Sequence, residues 1–331
     1  MIISKTPYRI SFFGGGTDYP DWYKSYGGKV ISTSIDKYCY ISCRYLPQFF
    51  DHKFRFVYSN IETVKRVEDI KHPSARAVLN EMKITNGLEI HHDGDLPARS
   101  GLGSSSSFTV GMLNAISALK GSRMSKELLA KEAIRIEQDV INENVGSQDQ
   151  IAVTYGGFNK IEFYQNGDFE VEQLIIPNEK YKKLQDHLVL FFTGISRISS
   201  NIAGELLKEI HSIKNEIEKL SVYVERGLEI LTNNNLDILE FGELLNEYWQ
   251  HKKSLNLKIS NPVIDDVYNK AIKSGAIGGK LLGSGGGGFF LFFAEPDKIP
   301  SLVKALDPLV YVPIKFEKNG SKIVLYEPTG I

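Results

Sequence analysis

Along the first 13 residues apolar and polar positions alternate. Tyr8, Ile10 and Phe12 share one face and Arg9, Ser11 and Phe13 the other, which predicts a strand. GGGTDYP (14 to 20) breaks it. Residues 29 to 45 read as strand again, with TSIDKY (33 to 38) as a turn inside it, and FRFVY (54 to 58) as a further strand. The pattern predicts a helix from Ser74 to about Met82 and a strand over GLEIHHD (87 to 93). Phe108, Met112, Ile116 and Leu119 then recur at helical spacing until Gly121 stops them. A second helix runs from Ser125 to about Ile141. Strands at 158 to 163 and 169 to 176 flank the turn residues NGD, and LVLFFTG (188 to 194) is a short, continuously apolar strand. A long helical region spans about 198 to 255 with a break at the NNN of 233 to 235. Another helix covers Pro262 to Ser274. KLLGSGGGGFFLFF (280 to 293) turns through glycines into a buried strand. Strands and helices are mixed rather than strictly alternating, so the predicted class is α+β. The polar stretch near 180 to 188 suggests two domains, 1–185 and 186–331.

Composition narrows the function classes. The chain has 331 residues, 42% of them hydrophobic, and a net charge of −1. A balance so near zero points to no nucleic-acid partner and no acidic membrane surface. The seven histidines do not cluster. Cys39 and Cys43 fall on one face of a strand, too far apart along it to bridge easily, which suits a reducing compartment. No window reaches the length of a membrane span, so the expectation is a soluble, cytoplasmic protein.

Two phosphate motifs are absent. GAIGGKLL (275 to 282) has Gly279 and Lys280, but lacks the earlier glycine and the Ser/Thr of a P-loop. Ser106 stands where a dinucleotide GxGxxG needs glycine. The physics of those motifs is nevertheless available in DLPARSGLGSSSS (95 to 107). Gly101 and Gly103 permit positive φ, and Ser104 to Ser107 open a helix whose first amides lack intrahelical acceptors. Such an end binds anions; a serine N-cap after a turn explains the same residues.

Glu137 interrupts the apolar row Ala130, Ile134, Ile141 beside the main row Leu129, Ala133, Ile136, Val140. A carboxylate there is paired, ligates a metal, or lies at the rim of the buried face. Magnesium beside phosphates takes carboxylate and hydroxyl oxygens, and the serine run supplies hydroxyls. Asp149 lies in VGSQDQIAV, where Ser147 and Gln150 fit a capping box; it is either a first-turn acid or a catalytic carboxylate. Arg9 is an exposed strand arginine or a fixed cation for a transferring phosphoryl group. Asp18 suits an Asx turn or a partner for sugar hydroxyls. In GSGGGGFF (283 to 290), five glycines in six positions exceed the needs of one bend; a ligand or another loop needs close access there.

Three segments in this order resemble the GHMP kinase superfamily: PYRISFFGGGTDYP (7 to 20), LPARSGLGSSSS (96 to 107) and KLLGSGGGGFF (280 to 290). The resemblance implies an N-terminal domain like domain 2 of ribosomal protein S5 and a ferredoxin-like C-terminal domain. It implies ATP and Mg²⁺ as cofactors and a small-molecule sugar or sugar phosphate as substrate, in a monomer or homodimer. It places the nucleotide along Pro97, Arg99, Ser100, Gly101, Leu102, Gly103, Ser104, Ser105, Ser106 and Ser107. It assigns Mg²⁺ to Ser105 and Glu137, catalysis to Asp149 and Arg9, and the acceptor to Gly15, Gly16, Thr17 and Asp18, with Gly285 and Gly286 near it. Galactokinases carry Gly-Glu-His where Gly14, Gly15 and Gly16 stand here, which argues against galactose. GISRISSNI (194 to 202) and HKKSLNLKISNP (251 to 262) are most similar to the branch that phosphorylates the anomeric hydroxyl of D-glycero-D-manno-heptose 7-phosphate; fucokinases share the glycine-rich first motif. For a phosphorylated sugar the candidate cations are Arg197, Lys252 and Lys253. The rival class is a sugar- and ATP-sensing regulator on this fold, which would not need Arg9, Glu137 and Asp149 together. Diphosphomevalonate decarboxylases share the fold, but the Thr-Asp-Tyr and the basic candidates favour a sugar.

Overall fold

The N-terminal alternation becomes β1 (Ile2–Phe13), and both of its faces are covered, so every residue from Thr6 to Phe13 is buried. The computed structural model describes residues 1–98, 100–195, 204, 210–256 and 258–328. After β1 come α1 (Pro20–Tyr26), β2 (Gly28–Tyr45), β3 (Phe54–Val57), β4 (Ile61–Val64), α2 (Pro73–Glu81) and β5 (Leu88–Gly94). Next are α3 (Ser104–Leu119), α4 (Lys126–Arg135), α5 (Gln148–Tyr155), β6 (Phe158–Phe163), β7 (Phe169–Gln173) and α6 (Asn178–His187). The rest comprises β8 (Leu188–Phe192), α7 (Lys214–Thr232), α8 (Leu239–Leu255), α9 (Pro262–Lys273), β9 (Ala276–Leu281), β10 (Phe289–Ala294) and α10 (Ile299–Ala305). The chain ends with β11 (Val310–Val312), β12 (Phe316–Glu317) and β13 (Lys322–Tyr326).

The strands form two sheets. The larger runs β13-β1-β2-β5-β3-β4, with β6 and β12 also on β2 and β7 on β6; the smaller runs β11-β8-β10-β9. Only β3 and β5 pair in parallel among the described strands. The class is α+β, as the mixed pattern predicts. The chain passes to the second sheet at β8, but β12 and β13 return to the first, so a single cut at 185 does not describe the path. The two halves are joined by aromatic packing: Phe12 and Phe13 of β1 meet Phe241 of α8 edge-on at 5.3 and 5.1 Å. Each such pair adds about 0.5–1.5 kcal/mol beyond its buried area. Phe13 also meets Tyr248 edge-on at 5.5 Å, so β1 lies along α8, whose C-terminal end carries Lys252 into the site. No helix among the described residues is long and apolar enough to cross a membrane.

Three local expectations are corrected. TSIDKY is not a turn: β2 runs unbroken, and Asp36 and Lys37 are bulged residues where the β1 register jumps from Ile35 opposite Tyr8 to Tyr38 opposite Pro7. The helix from Ser125 is α-helical only to Arg135, after which Ile136–Val140 form a π turn. The extra residue rotates the chain, so Val140 leaves the apolar row for solvent while Glu137 turns fully inward. Nor does the capping box form. Ser147 makes no side-chain cap bond, its hydroxyl instead accepts from Gln138 Nε2 at 3.1 Å, and Gln150 reaches Glu137.

Candidate active site

A cavity of about 200 Å³ lies where the end of β1, the loop before α3, the N-terminus of α5, the end of α8 and the β9–β10 loop meet. One wall is GLGSSS. Gly101 and Gly103 take φ of 83° and 74°, and the first donor inside α3 is Ser107, whose amide bonds Gly103 O at 2.8 Å. Ser104, Ser105 and Ser106 precede that bond and line the cavity, so the positive end of a 16-residue helix faces it. Leu102 is buried and its carbonyl accepts from the Arg9 amide at 3.0 Å, which ties the loop to β1.

Beside this wall Arg9 and Asp149 make a two-pronged ion pair. Arg9 Nε donates to Asp149 Oδ1 at 2.7 Å, Nη2 to Oδ2 at 2.6 Å, and Nη1 to Gly101 O at 2.7 Å. The arginine side chain is 4% exposed and the carboxylate 26%, so only the acid meets the cavity openly. The exposed-arginine reading is therefore wrong. Burial and a planar fork fix this pair far better than a surface pair. Gly103 lies against it: a Cβ there would sit 3.2 Å from Arg9 Cγ and 3.6 Å from Asp149 Oδ2.

Glu137 faces the cavity from the π turn and is fully buried, not at the rim. Its Oε2 accepts from Ser106 Oγ at 2.9 Å and from Gln150 Nε2, while Oε1 has no partner among the described residues. Burial pushes its carboxyl up to about 7, against the pull of the Thr109, Gln150 and Ser106 side chains. The hydroxyl joined to Glu137 is thus that of Ser106; Ser105, the residue expected beside it, is exposed. No group of three or more metal-ligating side chains exists among the described residues.

Two lysines complete the charge pattern. Lys252 Nζ donates to Gly283 O at 3.2 Å; burial draws its ammonium down to about 8, with Asp18 opposing and Arg9 assisting. Lys280 Nζ donates to Ser11 O and Phe12 O at 2.9 and 2.8 Å, and burial pulls it well below the ordinary lysine range. Asp18 is buried at the cavity edge. Its Oδ1 accepts from the Gly16 amide at 2.9 Å, and burial pushes its carboxyl up.

The cavity thus gathers Arg9, Gly15, Gly16, Asp18, Gly101, Gly103, Ser104, Ser105, Ser106, Glu137, Asp149 and Lys252 from the expected residues. Others fall elsewhere. Thr17 is buried with its hydroxyl spent on Gly14 O and Lys29 O. Ser107 Oγ donates to Pro7 O at 2.9 Å. Ser100 is buried behind the loop with its carbonyl on the Phe289 amide, and Pro97 is exposed outside the cavity. Gly285 and Gly286 pack on Ile259 rather than on the cavity, so their need for space is met by another loop. Lys253 is turned away to Asp265 Oδ1 at 3.0 Å, near the rings of Trp249 and Tyr268. Arg99 and Arg197 lie outside the described residues. The sequence reading passed over Ser11, Tyr19, Gln148 and Lys280 as site residues. Period two would have found Ser11, which shares a strand face with Arg9, and Lys280 is a lone charge in an apolar run.

A helix end, a buried arginine locked to a carboxylate, and a second carboxylate with an unfilled oxygen are the kinds of group that phosphoryl transfer uses. Residues 65–157 match the family description "GHMP kinases N terminal domain" and residues 230–310 match "GHMP kinases C terminal". The chain belongs to the GHMP kinases, and is a phosphotransferase with an alcohol group as acceptor. It is 31% identical over 325 residues to the D-glycero-alpha-D-manno-heptose 7-phosphate kinase of Campylobacter jejuni, covering 92% of this chain and 93% of that one. The crystal structure of a putative sugar kinase from Campylobacter jejuni matches with a TM-score of 0.73 and 30% identity, over 97% of both chains. That of a D-glycero-D-manno-heptose 1-phosphate kinase from Bacteroides thetaiotaomicron matches with a TM-score of 0.75 and 24% identity, over 99% of this chain and 100% of that one.

Proposed function

We propose that the protein is an ATP- and Mg²⁺-dependent sugar kinase. Its acceptor is the anomeric hydroxyl of D-glycero-D-manno-heptose 7-phosphate, and its product the 1,7-bisphosphate used for GDP-heptose. The observation that carries the reading is the Arg9–Asp149 pair set beside the α3 N-terminus in one cavity. The amides of the serine run receive the phosphates, and the acceptor hydroxyl lies at Asp149, whose carboxylate orients it and accepts its proton as the oxygen bonds to the γ-phosphorus and ADP leaves. Arg9 holds that carboxylate in place and offsets charge on the transferring group. The residues present fit a divalent cation: Glu137 Oε1 is buried without a partner among the described residues, and Ser106 Oγ adjoins the same carboxylate. When bound, Mg²⁺ neutralises phosphate charge and keeps the nucleotide aligned.

A phosphorylated acceptor is supported by Lys252, an ammonium at the cavity wall, and by the name of the Campylobacter jejuni relative. The names of the relatives put the acceptor's phosphate at different carbons, so both phosphates belong in the test. Heptose 7-phosphate, heptose 1-phosphate, fucose, mannose and galactose are each offered with ATP and Mg²⁺ while ADP release is followed. Heptose 7-phosphate should give the highest kcat/KM. If it is inert while a free hexose turns over, this acceptor assignment fails. If no sugar turns over, the sensing-regulator reading takes its place.

A further inference from the structure

Besides Glu137, two buried polar side chains of the cavity wall carry an atom left unsatisfied among the described residues. Ser11 is 5% exposed and Gln148 8%, and both line the cavity. Neither Ser11 Oγ nor Gln148 Oε1 has a hydrogen-bond partner among the described residues. Ser11 Oγ and the Gln148 carboxamide, by its Nε2, converge on one spot. A Cβ placed on Gly15 would lie 3.4 Å from Gln148 Nε2, 3.5 Å from Ser11 Oγ and 3.8 Å from Tyr248 Oη, so the missing side chain of Gly15 is what leaves the space open.

The backbones that carry both side chains are also held. Lys280 Nζ donates to the Ser11 carbonyl at 2.9 Å, and the Gln148 backbone N–H donates to Asp18 Oδ2 at 3.4 Å. A buried polar atom without a partner costs stability, and a niche walled by two side chains that each carry such an atom is preorganised for a ligand that supplies the missing bonds.

The chemistry of the niche selects its occupant. A phosphate oxygen only accepts, so it has no proton for the Gln148 carbonyl and would leave that oxygen unsatisfied. An ammonium only donates, and Lys252 and Lys280 would repel it. A neutral hydroxyl does both: it donates to the carboxamide oxygen and accepts from the serine. A carboxamide and a serine together serve a hydroxyl whichever way round the amide stands.

We propose that Ser11 and Gln148 are specificity-determining residues that clasp one non-reacting hydroxyl of the acceptor in the space left by Gly15. The inference rests on the reading that a sugar is the acceptor, and it adds which side chains read that sugar's hydroxyl pattern. A site with committed polar atoms rejects an acceptor that lacks the matching hydroxyl far more strongly than an apolar pocket would.

The test uses Ser11→Ala, Gln148→Met and Gly15→Ala, with whichever acceptor the wild type turns over best. Gly15 is outside the left-handed region and its Cβ would make ordinary contacts, so Gly15→Ala probes the space without strain. Each variant should raise the acceptor KM by about 10-fold or more, with the ATP KM within about twofold. Monodeoxy acceptors give the readout that a merely structural role would not move. Wild type should discriminate against one of them by about 100-fold or more, and Gln148→Met should reduce that ratio to within about threefold of unity. The inference is overturned if wild type and variants discriminate equally, or if ATP KM rises as much as acceptor KM. Failure of heptose 7-phosphate as a substrate would sink only the acceptor assignment, because the deoxy series is run on the sugar that does react.

Discussion

Two glycine-rich loops pack backbone to backbone at this site, and they differ in what they lead to. A Cβ on Gly101 would lie 2.3 Å from Leu282 O, yet the turn that Gly101 and Gly103 shape leads straight into α3, whose first amides face the cavity. The Gly283–Gly288 loop mostly turns inward onto other backbone. A Cβ on Gly283 would lie 2.7 Å from Gly101 Cα, one on Gly285 2.7 Å from Ile259 Cα, and one on Gly288 2.4 Å from Ser100 O. The first loop presents hydrogen-bond donors to a ligand, and the second is the close-packed backing that holds the first in place. Similar composition thus carries two roles, and the neighbours decide which.

The comparison can be broken first on the ligand side. Arg9→Met removes the fork that holds Asp149 and should lower kcat by about 1,000-fold, while the coupled ADP-release assay shows ATP KM little changed. Arg9→Lys should rescue little of this, because an ammonium cannot make both bonds at once.

Glu137→Gln should raise the Mg²⁺ concentration for half-maximal rate by about 10- to 100-fold. Its pH dependence has a definite sign. The carboxyl is raised from the ordinary 4.5 to about 7 in the fold, so it is protonated, and a poor ligand, below about 7. Apparent Mg²⁺ affinity should fall by up to about tenfold per unit as pH drops through that value, and the variant should lose this dependence. Without metal, the raised value means that folding stability declines as pH rises from 4.5 to about 7 and stays reduced above it. Thermal melts at pH 8 without Mg²⁺ should therefore show Glu137→Gln more stable than wild type; the reverse order would count against a buried, unsatisfied carboxylate.

On the backing side the order of effects inverts. Gly285→Ala puts a side chain at φ 111° against the Ile259 backbone and should cost about 1–3 kcal/mol in denaturant unfolding. The fraction that remains folded should keep its ATP KM. The smallest effect belongs to Lys253→Ala, since that side chain is committed to Asp265: acceptor KM should stay within about twofold of wild type. A large rise would mean that Lys253, and not Lys252, serves the cavity.

Much of the site is legible in the sequence because its chemistry is local. A glycine turn followed by serines opening a helix, an acid in the first turn of α5 and an aspartate after three glycines are all short-range patterns. What escaped depends on rotation and on distant partners. Ser105 and Ser106 are one residue apart, about 100° around the helix, and only packing shows which one faces Glu137. The same rotation separates Lys252 from Lys253. The π turn adds a residue that no 3.6-residue period anticipates, and Val140, expected in the apolar row, is exposed while Glu137 is fully buried. Lys280 and the inward glycines of the 283–288 loop are defined by what they touch on β1, at Ser100 and at Ile259, contacts made across long sequence separations.

The central claim is that phosphoryl transfer occurs at the carboxylate held by Arg9 beside the α3 N-terminus. The most direct measurement is Asp149→Asn, with ATP binding measured by calorimetry and transfer by the mass of the sugar product. The account predicts near wild-type ATP affinity with turnover reduced by about 1,000-fold or more. Turnover near the wild-type rate would contradict it.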